Sequence, residues 1–234
     1  MNAELAILAG GLATRLGERA RNIPKSLVPV HGRPFIAWQL ERIKACGFDH
    51  VVLCVGHLGA ALRDFVGSGS SFGVKVSYSD DGDSPLGTGG ALLKALPLLS
   101  DSFVVTYGDS YLPFDYRAPL TDLRLHPDAE GCLAVYRNQD RWDRSNTCVR
   151  GEHVVAYRKG ANDPAFDYID YGALALRAES VRGHTKECPF GLETLQTELA
   201  AAGTLRAFVS CERFYEVGSE QGIREFSAYI ARGN

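Results

Sequence analysis

The sequence predicts an α/β protein on a doubly wound mixed sheet, read as a single domain over residues 1–234 with a second lobe on one side. Three observations support this. Short, nearly continuous apolar runs alternate with segments of helical spacing up to Tyr107, the pattern of parallel strands covered on both faces. Glycines and prolines stand at the joints between those runs. Beyond Asp109 the runs shorten and follow one another through hairpin-type turns, which predicts a more antiparallel second half.

In chain order, Ala3 to Ala9 is an apolar run ending at Gly10-Gly11, expected to be a buried strand stopped by a loop. Pro34 suits a helix start, Ile36, Leu40 and Ile43 have helical spacing, and Gly47 stops the turn. Val51 to Val55 is the second strand, and Leu58, Leu62, Phe65 and Val66 describe a helix closed by Gly67. Val74 to Tyr78 is the third strand, followed by an acidic loop and a helix from Thr88 to Leu96 that Pro97 should end. Phe103 to Tyr107 is the fourth. In the second half, strands are expected at Cys132–Tyr136, Thr147–Arg150, His153–Tyr157, Ile169–Leu176 and Leu205–Val209, with helices at Leu192–Ala201 and Ile223–Ile230. Gly151-Glu152 should make a tight hairpin.

Composition narrows the partners. A hydrophobic fraction of 45% with 23% charged residues supplies a core and gives no case for disorder. A net charge of −3 is too little and of the wrong sign to attract a polyanion, so nucleic acid is not an expected partner. The six cysteines form no C-x-x-C pair and read as buried free thiols. No apolar stretch approaches the roughly 20 residues that span a bilayer, and the N-terminus has no secretory pattern, so no membrane partner and a cytoplasmic location are expected. A homo-oligomer is compatible with the sequence.

Ligands of open α/β sheets bind beyond the carboxyl ends of the strands, where Gly10-Gly11-Leu12-Ala13-Thr14-Arg15 should lie. Two glycines let backbone N–H groups approach a polyphosphate, and Arg15 offers a fork of donors. A Walker A loop is excluded because Arg15 and Leu16 stand where its second glycine belongs, and Gly87-Thr88-Gly89 fails the dinucleotide fingerprint at Leu92. No histidine pairs with a Ser or Cys nucleophile in a recognisable elbow. Asp109 follows the fourth strand directly and should face the same crevice as the first loop.

Leu8-Ala9-Gly10-Gly11-Leu12-Ala13-Thr14-Arg15-Leu16, then Ile23-Pro24-Lys25-Ser26-Leu27-Val28-Pro29-Val30 and Gly32-Arg33-Pro34-Phe35, resembles the signature of the sugar-1-phosphate nucleotidyltransferases. One departure is Ala13, where the family has a third glycine. The resemblance implies a Rossmann-like fold, the nucleotide-diphospho-sugar transferase fold, with a substrate-side lobe. It implies NTP and sugar 1-phosphate as substrates, Mg²⁺ as cofactor, and an in-line transfer governed by positioning and charge neutralisation. Arg15, Lys25 and Asp109 would be catalytic, with Arg15 on the leaving phosphates and Lys25 between the reacting ones. Leu8, Gly10, Gly11, Thr14, Asp81, Gly87 and Thr88 would bind the nucleotide, the last two within Pro85-Leu86-Gly87-Thr88-Gly89-Gly90-Ala91-Leu92, which is similar to the family's base-binding segment. Asp109 and Glu216 would hold the metal, Glu216 standing where relatives usually have Asp.

Lys159, Gly172 and Glu193 resemble the family's sugar-side residues, although Arg158, Asp170 and Thr194 depart from its pattern. Carboxylates at Asp80, Asp81 and Asp83 could accept from guanine N1–H and N2–H₂ or the cytosine amino group, which tilts the base toward G or C. The resemblance points to heptose or mannose 1-phosphate guanylyltransferases. Uridylyl or cytidylyl transfer, a nucleotide-sugar-dependent glycosyltransferase, and a non-catalytic sensor are the alternatives. Asp109-Ser110-Tyr111 lacks the D-x-D of the glycosyltransferases.

Overall fold

The computed structural model describes residues 2–11, 23–56, 58–82, 84–184 and 188–233. The elements in chain order are β1 (Ala3–Leu8), β2 (Pro29–Val30), β3 (Arg33–Pro34), α1 (Phe35–Ala45), β4 (His50–Val55), α2 (Gly59–Val66), β5 (Lys75–Asp80), α3 (Gly87–Ala95) and β6 (Leu99–Tyr107). They continue with β7 (Ser110–Tyr111), α4 (Arg117–Leu125), β8 (Gly131–Arg137), β9 (Thr147–Arg150), β10 (His153–Tyr157) and β11 (Tyr168–Arg177). The last are α5 (Ala178–Arg182), α6 (Leu192–Ala202), β12 (Leu205–Ser210), β13 (Tyr215–Glu216) and α7 (Glu220–Ile230).

Nine strands form one sheet in the order β5-β4-β1-β6-β11-β8-β12-β10-β9. From β5 to β6 every pairing is parallel, as in Leu5 opposite both Val51 and Val104. At β11 the direction reverses, with Val105 antiparallel to Leu174, so the sheet is mixed as the sequence predicts. The pleat sorts β1 between two cores: Leu5, Ile7 and Ala9 face Ile36, Leu40 and Leu62 of α1 and α2, whereas Ala6 and Leu8 face Leu92 of α3 and Leu195 of α6. Helices therefore cover both faces. Truncating a fully buried residue such as Ile7 would cost about 2–5 kcal/mol.

Two differences from the sequence reading have local causes. Helix α4 was not among the expected elements; its Pro119 lies in the first turn, where a missing N–H costs no helical bond, and Leu120 and Leu123 are buried beneath it. The six cysteines are all free, but only Cys54, Cys132 and Cys148 are buried in strands, while Cys188 and Cys211 are exposed outside any element and Cys46 is half-buried at the end of α1. The helix after Gly87 ends at Ala95 as one 3₁₀ turn, Leu96–Leu98, takes in Pro97.

Candidate active site

The carboxyl ends of β1, β4, β5 and β6 meet around a cleft of about 320 Å³. Hydrogen bonding runs one residue past each strand, with Ala9 N donating to Cys54 O (2.8 Å), Asp81 N to Val55 O (3.0 Å) and Gly108 N to Leu8 O (3.0 Å), so the three following loops leave side by side. Gly108 is required by close approach: a Cβ there would stand 2.6 Å from the Ser26 hydroxyl and 3.0 Å from the Ala9 Cα. Gly87 has φ +74°, and a Cβ on it would lie 2.3 Å from the Phe190 carbonyl oxygen. That contact seats the start of α3 on the segment leading into α6, and Leu192 N donates to the Thr88 hydroxyl (2.8 Å) across the same seam. Burial and then the Asp81 charge push the Cys54 thiol up to about 12, leaving the cleft floor uncharged there. Burial raises the Asp81 carboxyl as well, opposed by a backbone hydrogen bond.

Pro24 precedes a 3₁₀ turn, Lys25–Leu27, that turns the Lys25 side chain across the cleft. Its Nζ lies 2.8 Å from Asp109 Oδ2, each side chain about a quarter exposed. Asp109 is fixed from two sides. Buried Gln39 of α1 donates through Nε2 to Tyr107 O (2.7 Å) and Ser110 O (2.8 Å), bracketing the turn. Val217 N donates to Asp109 O (2.9 Å), and β13 pairs with β7 so that Glu216 stands opposite Ser110. Surrounding protein, then the Asp109 charge, pushes the Glu216 carboxyl up to about 7, although its side chain still meets water in the open cleft. Two such carboxylates at an open cleft suit a hard cation that keeps several waters. Among the described residues no group of three or more acidic, histidine or cysteine side chains forms a fuller metal cage.

A second pocket of about 240 Å³ adjoins the first and shares Tyr107 and Asp109 with it. Lys159, Gly172 and Glu216 line it, and Glu193 reaches its rim through an ion pair with Lys159 (3.3 Å). Gly172 has φ +97° at an irregularity in the β8–β11 register. That bulge is held by Asp170, whose Oδ1 accepts from Gly172 N (2.8 Å) while Oδ2 accepts from Gln196 Nε2 (2.8 Å) and the Tyr157 hydroxyl (3.3 Å). Burial pushes the Asp170 carboxyl up and the Tyr107 hydroxyl well up, so the phenol stays a neutral donor.

Leu8, Gly10, Gly11, Lys25, Asp81, Gly87, Thr88 and Asp109 thus share the first pocket, and Lys159, Gly172, Glu216 and again Asp109 the second. Thr14, Arg15 and Asp83 lie outside the described residues. Sequence reasoning did not find Ser26, Gln39 or Tyr107, nor Asp143, Arg144, Asn146 and Tyr157 of the second pocket. A buried Gln inside the apolar stripe of α1 was the available signal for Gln39.

Residues 5–211 match the MobA-like NTP transferase domain. The chain is 33% identical to the D-glycero-alpha-D-manno-heptose 1-phosphate guanylyltransferase of Campylobacter jejuni over 94% of its own length and 96% of that protein. It is 30% identical to the mannose-1-phosphate guanylyltransferase of Mycobacterium tuberculosis over 98% of this chain, and 38% identical to the N-acetylmuramate alpha-1-phosphate uridylyltransferase of Neisseria meningitidis over 48%. It spans 65% of the mycobacterial protein's length and 49% of the neisserial one's. HddC from Yersinia pseudotuberculosis, solved with GMP-PN, superposes with a TM-score of 0.82 at 23% identity, covering 97% of this chain and 99% of that one, a likeness of fold. No helix among the described residues is long and apolar enough to cross a membrane. With the strand-end cleft, Gly10-Gly11 and the Lys25–Asp109 pair in place, the chain belongs to the family of MobA-like NTP transferase domains.

Proposed function

We propose that this chain, acting as a single nucleotidyltransferase domain, transfers a nucleoside monophosphate from an NTP to a sugar 1-phosphate and releases pyrophosphate. The observation that carries this reading is the pair of adjoining pockets that meet at Asp109, one walled by glycines and backbone, the other by charged side chains. An oxygen of the sugar phosphate attacks the α-phosphorus, the new P–O bond forms, and the α–β bridging P–O bond breaks as pyrophosphate leaves. Lys25 places a fixed positive charge at the junction of the pockets, where phosphate charge concentrates. Arg15 is assigned to the leaving phosphates, and Lys159 to the sugar phosphate. Glycine backbone at Gly10 and Gly11 keeps the triphosphate close to strand β1, and Asp170 shapes the sugar floor through the bulge at Gly172. Asp109 and Glu216 would hold Mg²⁺, which supplies charge neutralisation on the phosphates when bound.

Guanylyl transfer to a heptose or mannose 1-phosphate is the favoured specificity. Asp81 lines the nucleotide pocket, and a carboxylate there accepts from guanine N1–H and N2–H₂. The campylobacter and mycobacterial relatives support the same choice. Uridylyl transfer is the second reading, favoured by the neisserial relative. A matrix of NTPs against sugar 1-phosphates, read by pyrophosphate release with and without Mg²⁺, tests all of this. Turnover confined to UTP or dTTP would refute the base assignment, and no pyrophosphate from any pair would refute the reaction.

A further inference from the structure

Among the described residues three cations border the two pockets, and their partners differ. Lys25 is paired with Asp109 and Lys159 with Glu193. Arg144 also lines the second pocket, but among the described residues it forms no ion pair; its Nη1 donates to the neutral amide oxygen of Asn162 at 3.0 Å. Its charge acts on the nearby Asp140 carboxylate without a direct ion pair, in a loop that also borders the pocket holding the carboxylates of Asp109, Asp143, Asp170 and Glu216. A dianionic substrate entering that pocket needs a cation not already neutralised, and a guanidinium fork matches two phosphate oxygens at once.

The loop bearing Arg144 is built far more tightly than exposed loops usually are. Gln139 and Asp140 both sit in the left-handed region, at φ 51° and 57°, a conformation that costs a non-glycine residue. Buried Asn138 holds it there, donating through Nδ2 to Asp143 O (2.7 Å) and the Ser145 hydroxyl (3.1 Å) and accepting from Trp142 N (3.1 Å). From outside, the Arg213 guanidinium lies 3.6 Å from the centre of the Trp142 ring and 4.9 Å from that of Tyr215, the neighbour of Glu216 on β13. Glu225 of α7 ion-pairs with Arg213. The stack therefore ties the Arg144 loop to the strand that carries Glu216.

We propose that Arg144 binds the phosphate of the sugar 1-phosphate, and that Arg213, stacked on Trp142, is the positioning residue that presents it. This rests on the nucleotidyltransferase reading above. The test takes the full chain with the NTP that the substrate matrix selects and two different sugar 1-phosphates, comparing the wild type with Arg144→Ala, Arg144→Lys, Arg213→Ala and Arg213→Lys. Loss of a charge-assisted contact should raise the KM for sugar 1-phosphate roughly ten- to a hundredfold in Arg144→Ala, with the KM for NTP within about twofold of wild type. The factor should be the same for both sugars, because the phosphate is what they share. Arg144→Lys should recover part of it. Arg213→Ala should raise the same KM by a smaller factor while leaving kcat near wild type, and Arg213→Lys, which keeps the cation over the ring, should restore it. Arg144 is exposed, so its variants fold, and thermal unfolding of the Arg213 variants is recorded beside the kinetics. A wild-type enzyme that turns over while Arg144→Ala keeps its sugar 1-phosphate KM overturns this inference and leaves the reaction standing. An effect that differs between the two sugars overturns the phosphate contact. A wild type that turns over no pair removes both.

Discussion

The two pockets solve different binding problems with different materials. The strand-end cleft, proposed for the nucleotide, is walled by strand ends, backbone and small residues: Gly10, Gly11, Gly87 and Gly108 occupy positions where a side chain would fill the space or strike the opposite loop. The second pocket, proposed for the sugar phosphate, collects long polar and charged side chains from separate places, Asp143 and Arg144 from a loop, Tyr157 and Lys159 from the end of β10, Asp170 from β11 and Glu216 from β13. A triphosphate is common to every NTP and can be held by fixed backbone N–H groups, whereas a sugar is distinguished by hydroxyls that only side chains reach. The first pocket therefore depends on shape and the second on charge. They share Asp109, where both should fail together.

Removing Asp109 is the largest expected effect. Asp109→Ala should lower kcat by about a thousandfold or more, since it deletes the carboxylate common to both substrates. Its ion pair with Lys25 is partly open to water and worth at most about 1 kcal/mol, so the thermal midpoint should hardly move. Lys25→Ala should follow at about a hundredfold in kcat, again with little change in unfolding. Pyrophosphate release and calorimetry on the same preparations check both. A large fall in stability with either variant would mean that the pair is a structural strut between the halves.

Shape dependence is tested at Gly87. Alanine there must adopt a left-handed conformation and push back the Phe190 carbonyl, which should destabilise the fold by about 3 kcal/mol and raise the KM for NTP while leaving that for sugar 1-phosphate nearly unchanged. Gln39→Leu is smaller. It leaves the carbonyls of Tyr107 and Ser110 without their donor at a cost of about 1–3 kcal/mol, and should lower kcat with both substrates because the turn carrying Asp109 is released. Denaturant titration and steady-state kinetics measure the two consequences independently.

The contrast also explains what the sequence made legible. Backbone sites need residues that are contiguous in the chain, so Leu8 to Gly11, Pro24-Lys25 and Pro85 to Thr88 stand out as motifs and fall where the strand pattern places them. The alternation of apolar strands with helices was equally visible, down to the hairpin at Gly151. Helix α4 was not read from the sequence; a proline inside a segment obscures a helix because its cost depends on where in the helix it falls, and Pro119 falls in the first turn. The second pocket was visible only in part: Lys159, Gly172 and Glu216 were named from the sequence, whereas Asp143, Arg144, Asn146 and Tyr157 were not, for a different reason. Asn146 and Asp170 are 24 residues apart and meet only because β9 and β11 pair at Thr147 and Tyr168, and no local pattern encodes that register. Arg144 reads in isolation as a solvated loop residue; only the stapled loop and the Trp142–Arg213 stack give it a fixed direction.

The smallest effect separates functional charge from structural charge within the second half itself. At the far end of the same strands, Arg206 is buried and bridges Asp122 of α4, with Nε to Oδ1 at 2.5 Å, and Glu152 of the β9–β10 turn at 3.1 Å. There one guanidinium bridges two carboxylates directly, in contrast to Arg144 at the cleft, which forms no ion pair among the described residues. Burial alone would raise the Asp122 carboxyl, but the hydrogen bond and charge of Arg206 outweigh it and hold that group below its ordinary value of 3.8. A carboxyl lowered in the folded state binds its proton more readily when unfolded, so it contributes stability above about pH 4 and loses that contribution as pH falls through the folded value. Wild-type protein should therefore lose stability more steeply below pH 4 than Asp122→Asn, which starts lower at neutral pH and has no such proton to take up. Urea midpoints between about pH 3 and 7 test this, with the slope of stability against pH as the readout. Parallel slopes for the two proteins would mean that the matched network is as loosely held as the open pocket, and the distinction between the two ends of the half would fail.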